Sequence, residues 1–139
     1  MIKLIVGSKG AGKTKTLIDM AKNAAETSKG NVVCVEKGTK LQYDLPTVVR
    51  LIDSDEYGVK GFACLYGFLA GLLAGNYDIT HLFVDGTFKI GAIGEVAKDY
   101  EGLAVMVDML AKVSGDTEVV FTVSCDPADL PESLKGYVL

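Results

Sequence analysis

Apolar residues occur along the chain in short continuous runs that alternate with segments of helical spacing. Residues 2–6 and 31–36 are runs rich in β-branched residues, and each is short enough for one buried strand. Between them, apolar residues recur with helical spacing over residues 13–28, and Lys29-Gly30 marks the end of this helix. The order strand, glycine-rich turn, helix, strand predicts a βαβ unit and therefore a parallel sheet.

The same alternation continues to the C-terminal end of the sequence. Further strands are predicted at 47–52, 79–85, 118–124 and, as an edge strand, 137–139; helices are predicted at 58–75 and 101–113, and a glycine-rich loop at 86–100. This pattern is typical of a three-layer α/β protein with a mainly parallel sheet between two helical layers. Because the chain has 139 residues and no evident linker, we expect a single domain over residues 1–139.

The predicted helix at 58–75 is apolar on nearly all sides, which predicts burial on more than one side. Its glycines Gly67, Gly71 and Gly75 recur every four residues and share one face. Two interpretations stay open: this face packs tightly on the sheet, or it contacts a protein partner, a second copy of the chain or a membrane. The apolar stretch at 61–75 is about 15 residues long, shorter than the roughly 20 that a bilayer requires, so no membrane span is expected.

The acidic run at 53–56 also has two interpretations. Its carboxylates bind a metal ion, or they cap the helix that follows, whose positive N-terminal end favours acidic side chains. Capping is the commoner use of such a run, and we expect it here.

Composition and charge narrow the classes of function. Hydrophobic residues make up 49% and charged residues 23% of the chain, which is ordinary for a globular protein and argues against disorder. The net charge of -4 gives no general attraction to nucleic acid or anionic lipid, so nucleic acid is not expected as a partner. No signal-peptide core is visible, and Cys34, Cys64 and Cys125 form no CxxC pair, so we expect a cytoplasmic protein with buried, reduced cysteines.

The strongest candidate for chemistry is a glycine-rich segment between the first strand and the first helix. It reads Gly7-Ser8-Lys9-Gly10-Ala11-Gly12-Lys13-Thr14 and matches the Walker A phosphate-loop pattern GxxxxGK[ST]. Glycines let backbone N–H groups point inward, and the helix N-terminus favours an anion. Lys13 would reach the β- and γ-phosphates of a nucleoside triphosphate, Thr14 would offer its hydroxyl to Mg²⁺, and Lys15 would contribute its backbone N–H.

Two further segments suit such a site. Residues 81–85 form an apolar run that ends in Asp85 and resembles a Walker B strand, whose carboxylate would face the phosphates and hold Mg²⁺ through water. Residues 121–124 end a later strand, and their hydroxyl groups have two interpretations. They sense the γ-phosphate, with Ser124 as the candidate sensor, or position water; alternatively, they bond to local backbone.

The two Walker segments make the chain resemble the P-loop NTPase superfamily, and the strand order is similar over nearly the whole chain. The long interval between Lys13 and Asp85 resembles the RecA-like branch, which has an additional strand between the two Walker strands. Residues 119–127 with Leu130-Pro131 are similar to the last strand and loop of cobalamin adenosyltransferases, and thymidine kinases share the compact core. These groups usually carry Glu after the Walker B Asp, where this chain has Gly86.

That difference affects the expected activity. In the branch that the chain resembles, the acid after the Walker B Asp polarises the attacking water, so Gly86 implies slow hydrolysis. Glu95, in the predicted loop, is a candidate substitute, and together with Lys13 and Asp85 it makes up the candidate catalytic residues.

Three functions stay open at this point. The first is a Mg²⁺-dependent ATPase or nucleotide switch that is weak alone or activated by a partner. The second is a non-catalytic ATP-binding interaction protein, and the third is an ATP-dependent transferase such as a kinase or adenosyltransferase. The guanine-reading motif Asn/Thr-Lys-x-Asp is absent, which favours ATP over GTP. Arg50 is the only arginine, and we expect it to be a solvated surface charge rather than a catalytic finger.

Overall fold

Five parallel strands form one sheet at the centre of the molecule, and the computed structural model describes all 139 residues. The strands are β1 (Ile2–Gly7), β2 (Asn31–Glu36), β3 (Arg50–Asp53), β4 (Ile79–Val84) and β5 (Glu118–Ser124). Their order across the sheet is β1-β5-β4-β2-β3, and every neighbouring pair is parallel. The predicted α/β class with a parallel sheet is confirmed.

Helices cover both faces of this sheet. They are α1 (Lys13–Thr27), α2 (Phe62–Gly75), α3 (Thr87–Gly91) and α4 (Tyr100–Ala111), with short 3₁₀ helices at Ser54–Tyr57, Pro127–Asp129 and Glu132–Tyr137. Helix α1 packs on one face together with the turns at 37–49, and α2, α3 and α4 pack on the other. Because both faces are covered, neighbouring residues of one strand are buried on opposite sides, as Leu82 and Phe83 are.

Helix α2 begins later than predicted, at Phe62 instead of residue 58. Asp53 accepts a hydrogen bond from the N–H of Asp55 (2.9 Å) and so caps the 3₁₀ helix Ser54–Tyr57, which ends at Gly58 in a left-handed conformation (φ 69°). The acidic run therefore caps a helix, as expected, although this helix is a single 3₁₀ turn that precedes α2. The structure contains no group of three or more His, Cys, Asp or Glu side chains that could hold a metal ion.

Helix α2 is buried on one side only, which corrects the prediction of burial on several sides. Leu65 and Leu69 lie in the core, whereas Gly67, Gly71 and Gly75 face open space, with no atom within 4 Å of a side-chain carbon built on any of them. This glycine face does not pack on the sheet, so the first interpretation is wrong, and an external contact stays a prediction. None of the helices has both the length and the apolarity needed to cross a membrane.

The glycine content predicts a loop over residues 86–100, and this prediction is wrong in part, because helix α3 lies within these residues. Phe88 and Ile90 of this helix are buried in the core. Their burial stabilises the short helix, which the glycine content of the segment does not predict. Ile93 and Val96 then close a tight turn with two reciprocal backbone hydrogen bonds (3.3 and 3.1 Å).

Two strand predictions differ at their ends. Strand β3 spans Arg50–Asp53 rather than 47–52, because residues 47–49 belong to a turn. Residues 137–139 form no full edge strand; Val138 makes one isolated parallel bridge with Leu4 of β1.

Two of the three cysteines are buried, as expected. Cys34 in β2 and Cys125 after β5 lie in the core, and burial raises the pKa of both thiols, so neither is a ready nucleophile at neutral pH. Cys64 departs from the expectation, because it lies on the outer side of α2 and is exposed.

Candidate functional site

The polar residues that end several strands share one edge of the sheet. Because all strands are parallel, their carboxyl ends lie together, and this edge carries Glu36 at the end of β2, Asp85 directly after β4 and Ser124 at the end of β5. Strand β5 lies between β1 and β4, so an additional strand separates the strand before the glycine-rich segment from the strand before Asp85. Thr14 and Asp85, 71 positions apart in the sequence, are brought into hydrogen-bond contact.

Residues 7–14 form a loop whose shape depends on glycine. Gly10 and Gly12 have φ values of 88° and 83°, a left-handed conformation that other residues rarely adopt. The N–H of Ala11 donates to the carbonyl of Ser8 at 3.1 Å and closes a turn within the loop. Residues 8–12 are exposed, so the loop backbone at the start of α1 is accessible to an anion.

Lys13 opens helix α1 and is buried, with 9% of its surface exposed. Its ammonium donates to the carbonyl of Ser8 at 2.9 Å, so this positive charge lies against the loop. Lys9 and Lys15 are exposed, and Lys15 pairs with Asp19 one helical turn later at 2.9 Å. Of these three lysines, only Lys13 is therefore buried against the loop.

A hydrogen-bond network orients the carboxylate of Asp85. The hydroxyl of Thr122 donates to Asp85 Oδ1 at 2.8 Å and accepts the N–H of Gly86 at 2.8 Å. Thr14 donates to the same carboxylate, at 3.2 Å from Oδ1 and 3.4 Å from Oδ2. Thr122 is only 2% exposed, so its bond to Asp85 is protected from water and directs the carboxylate toward Thr14.

Thr14 and Asp85 provide the kind of ligand that Mg²⁺ prefers, a hydroxyl oxygen and a carboxylate oxygen. In proteins Mg²⁺ usually keeps several of its waters and binds one or two carboxylates plus phosphate oxygens, so two protein groups are sufficient. Their oxygens already lie within hydrogen-bond distance of each other beside the loop. These two residues therefore fit the ion.

Glu36 belongs to the same edge and was missed by sequence reasoning. Its side chain is buried, with 3% exposed, and its carboxylate accepts the N–H of Leu41 at 2.8 Å. Burial, with a smaller effect from the negative charge of Asp85, raises the pKa of this carboxyl. The available signal was a glutamate as the last residue of an apolar strand, but its distance from Asp85 depends on strand order.

A cavity of about 150 Å³ joins these groups. Six polar side chains line it: Thr14, Glu36, Lys37, Lys40, Asp85 and Lys89. Because one water takes about 30 Å³ of liquid volume, the cavity has room for a phosphoryl group and a water. A larger groove of about 590 Å³ lies at the opposite end of the sheet, beside the first residues of β1, and contains none of these groups.

The remaining candidate residues lie in different environments. Gly86 adopts a left-handed conformation (φ 67°) and begins helix α3. Glu95 is exposed in the turn between Ile93 and Val96 and does not line the cavity. Ser124 pairs in register with Gly7, at the base of the loop.

Comparison with solved structures finds the same fold in longer proteins. The flagellar accessory protein FlaH from Methanocaldococcus jannaschii matches with a TM-score of 0.60 and 17% identity, over 95% of this chain and 63% of FlaH. The monomer form of the pCW3 conjugation coupling protein TcpA, a structure with ATPγS, matches with a TM-score of 0.55 and 15% identity, over 98% of this chain and 46% of TcpA. No protein-family model and no curated protein sequence matches the chain.

The fold of this chain is P-loop NTPase-like. Its features are the five-stranded parallel sheet, the glycine-rich loop between β1 and α1, and Asp85 at the carboxyl end of β4. At these sequence identities the likeness concerns the fold, and the chain spans less than two thirds of either protein. The activity must therefore be inferred from the side chains at the site.

Proposed function

We propose that this protein binds ATP together with Mg²⁺ and acts as a nucleotide switch or weak ATPase that a partner activates. The observation that carries the proposal is the contact of Thr14 with Asp85 (3.2 Å) beside the loop that holds Lys13. The likeness to TcpA, whose structure contains ATPγS, supports a triphosphate ligand. The missing guanine-reading motif favours ATP over GTP.

Each group has a role in the transfer of a phosphoryl group to water. The loop backbone and Lys13 bind the β- and γ-phosphates, because N–H groups and an ammonium complement negative oxygens. Thr14 and Asp85 hold Mg²⁺, which when bound neutralises charge on the phosphates. Glu36 accepts a proton from the attacking water, the role that the sequence suggested for Glu95, because its carboxylate lines the same cavity.

Two features account for slow turnover without a partner. The carboxylate of Glu36 is already bonded to the N–H of Leu41 (2.8 Å), so one of its oxygens has a backbone partner that competes with the attacking water. In addition, Arg50 is the first residue of β3 and so lies toward the opposite edge of the sheet from Asp85. A partner that supplies a positive charge or reorients the water would therefore accelerate hydrolysis.

Helix α3 provides a route from the site to the surface. It begins at Gly86, and the carbonyl of Ile90 accepts the N–H of Gly61 at 3.0 Å, at the start of α2. Gly91 packs so closely on Phe62 that a side-chain carbon there would overlap the aromatic ring. A shift of α3 with the nucleotide state would therefore reach α2. We propose the open glycine face of α2 as the contact for a protein partner or a second copy of the chain.

A non-catalytic ATP-binding interaction protein is the second candidate function. The exposed face of α2 and the glycine in place of an acid at position 86 favour it. The two candidates share the nucleotide and differ in turnover, so one set of measurements separates them.

The decisive experiment compares wild type, Lys13→Ala and Asp85→Ala. Nucleotide binding is measured with and without Mg²⁺, and phosphate release is measured on the same samples. We expect Mg²⁺-dependent binding of ATP by wild type, loss of binding in Lys13→Ala and loss of the Mg²⁺ dependence in Asp85→Ala. Tight binding with no phosphate release, alone or with candidate partners, would leave the second candidate; absence of nucleotide binding by wild type would refute both.

The proposed contact of α2 has a separate test. Light scattering of wild type is recorded without nucleotide, with ADP and with a slowly hydrolysed ATP analogue. A nucleotide-dependent change of mass that Gly71→Leu abolishes would support self-association, because Gly71 is exposed and no atom of the chain lies within 4 Å of a side-chain carbon built on it. A monomer under all conditions would exclude a second copy as the partner.

A further inference from the structure

A second positive charge at the terminal phosphate, in addition to Lys13, is not supplied by an arginine of this chain. P-loop enzymes often use an arginine for this purpose. Arg50 is the only one here; it begins β3, is exposed, and donates from its guanidinium to the carbonyl of Leu51 at 3.3 Å. A cation from within the chain must therefore be a lysine.

Three lysines line the cavity beside Asp85, and they differ in their partners. Lys37 forms an ion pair with Asp55 at 3.1 Å, so its charge is already compensated. Lys40 and Lys89 form no ion pair and no side-chain hydrogen bond. Burial raises the pKa of Glu36 and the positive charge of Lys40 opposes that shift, so Lys40 already acts on a carboxylate of the chain. Lys89 is the cavity lysine whose charge is available to an anion.

The backbone of α3 fixes the position of Lys89 relative to Asp85. The N–H of Lys89 donates to the carbonyl of Gly86 at 2.9 Å. The aliphatic part of Lys89 lies over Gly86, because a side-chain carbon built on Gly86 would be 3.6 Å from Lys89 Cδ. Lys40, by contrast, belongs to the turns that follow β2.

Gly86 has a structural role in this arrangement. Its backbone is left-handed (φ 67°), and its N–H is bonded to Thr122 at 2.8 Å, so a larger residue here would be strained. A side-chain carbon at this position would also be in contact with Lys89 Cδ, at 3.6 Å. The glycine that follows Asp85 therefore leaves room for a lysine in the cavity.

We propose that Lys89 binds the terminal phosphate of ATP from within the same chain, an inference that rests on the proposed ATP binding. The carboxylates of Glu36 and Asp85 line the same cavity and would repel a triphosphate, so a positive charge among these side chains favours its binding. ADP lacks the terminal phosphate, so Lys89 makes the protein prefer ATP.

The test is a comparison of affinities, with Mg²⁺ present, for ATPγS, for ADP and for ADP with beryllium fluoride, which mimics the terminal phosphate. The variants are Lys89→Met, Lys89→Arg, Lys40→Met and, as a matched control, Lys22→Met, which removes an exposed lysine of α1 outside the cavity. We expect Lys89→Met to weaken ATPγS and the beryllium fluoride complex about 10- to 100-fold and ADP less than about twofold. Lys89→Arg should restore most of the preference, and the control should match wild type.

Three outcomes would overturn the inference. They are an equal loss for ADP and ATPγS in Lys89→Met, no loss at all, or a loss of the triphosphate preference in Lys40→Met instead. Lys89 is exposed, so we expect its variants to fold, and circular dichroism with ADP binding checks this independently. If wild type binds neither ADP nor ATPγS, the proposed function itself is refuted. That result differs from the three outcomes above, in which wild type still binds nucleotide.

Discussion

The cavity at the carboxyl edge of the sheet has two walls that are built differently. One wall is the loop of residues 7–14, a continuous segment that presents backbone and the buried Lys13. The other wall carries Glu36, Asp85 and Lys89, which come from three separate elements. We infer that the first wall holds the phosphates of any nucleotide, whereas the second acts on the terminal phosphate and the water. Binding and turnover should therefore be separable by mutation, and four predictions test this comparison.

The largest effect is expected for Lys13→Ala in the first wall. The variant removes charge-assisted hydrogen bonds to two phosphates, each worth about 1.5–3 kcal/mol, so affinity for ATP should fall about 10²- to 10⁴-fold. Isothermal titration calorimetry measures this loss. Lys15→Ala is the matched control, because Lys15 is exposed and pairs with Asp19; an equal loss in both variants would contradict the role of Lys13.

In the second wall, Glu36→Gln should affect turnover and spare binding. It removes the proposed general base while Gln keeps an oxygen for the N–H of Leu41, so we expect kcat to fall about 10²- to 10³-fold and the Kd for ATP to change less than about twofold. Single-turnover phosphate release with a parallel binding titration distinguishes the two quantities. Glu95→Gln is the control and should behave as wild type; if it loses turnover instead, Glu95 is the base and the second wall is wrongly assigned.

Thr122→Val tests whether the second wall depends on its buried hydrogen bonds. The variant keeps the shape of the side chain but leaves Gly86 N–H and Asp85 without a buried partner, which should lower the free energy of unfolding by about 1–3 kcal/mol. Urea denaturation measures it. Thr122→Ser retains the hydroxyl and should recover most of the loss; an unchanged stability in Thr122→Val would show that the network is not structural.

The smallest effect concerns the pH dependence of stability. Burial raises the pKa of Glu36 above its ordinary value of 4.5, so between the two values the folded state holds more protons than the unfolded state. The free energy of unfolding should therefore decrease as pH rises through this interval, and Glu36→Gln should remove that part of the dependence. Urea titrations of both proteins from pH 4 to 8 measure the difference, and parallel curves would argue against a raised pKa.

Prediction from sequence succeeded where the controlling interactions are local. The residues of β2 and β5 and the position of α1 follow from apolar spacing, which reports on neighbours within one or two turns. It failed at α3, where five residues form a helix because Phe88 and Ile90 reach the core. It also failed for the burial of α2, since a helix that is apolar all round does not show which face meets the sheet.

The two walls of the cavity also differ in whether local or long-range interactions determine them. Eight consecutive residues define the phosphate loop, and the glycines and the lysine act through backbone geometry and spacing that are visible in the sequence itself. The neighbours of Asp85 depend on the order β1-β5-β4-β2-β3, which joins strands far apart in the chain. Long-range pairing is decided by the burial of apolar faces in the whole molecule, and it alone brought Glu36 and Thr122 to Asp85, whereas Lys89 follows Asp85 directly on helix α3.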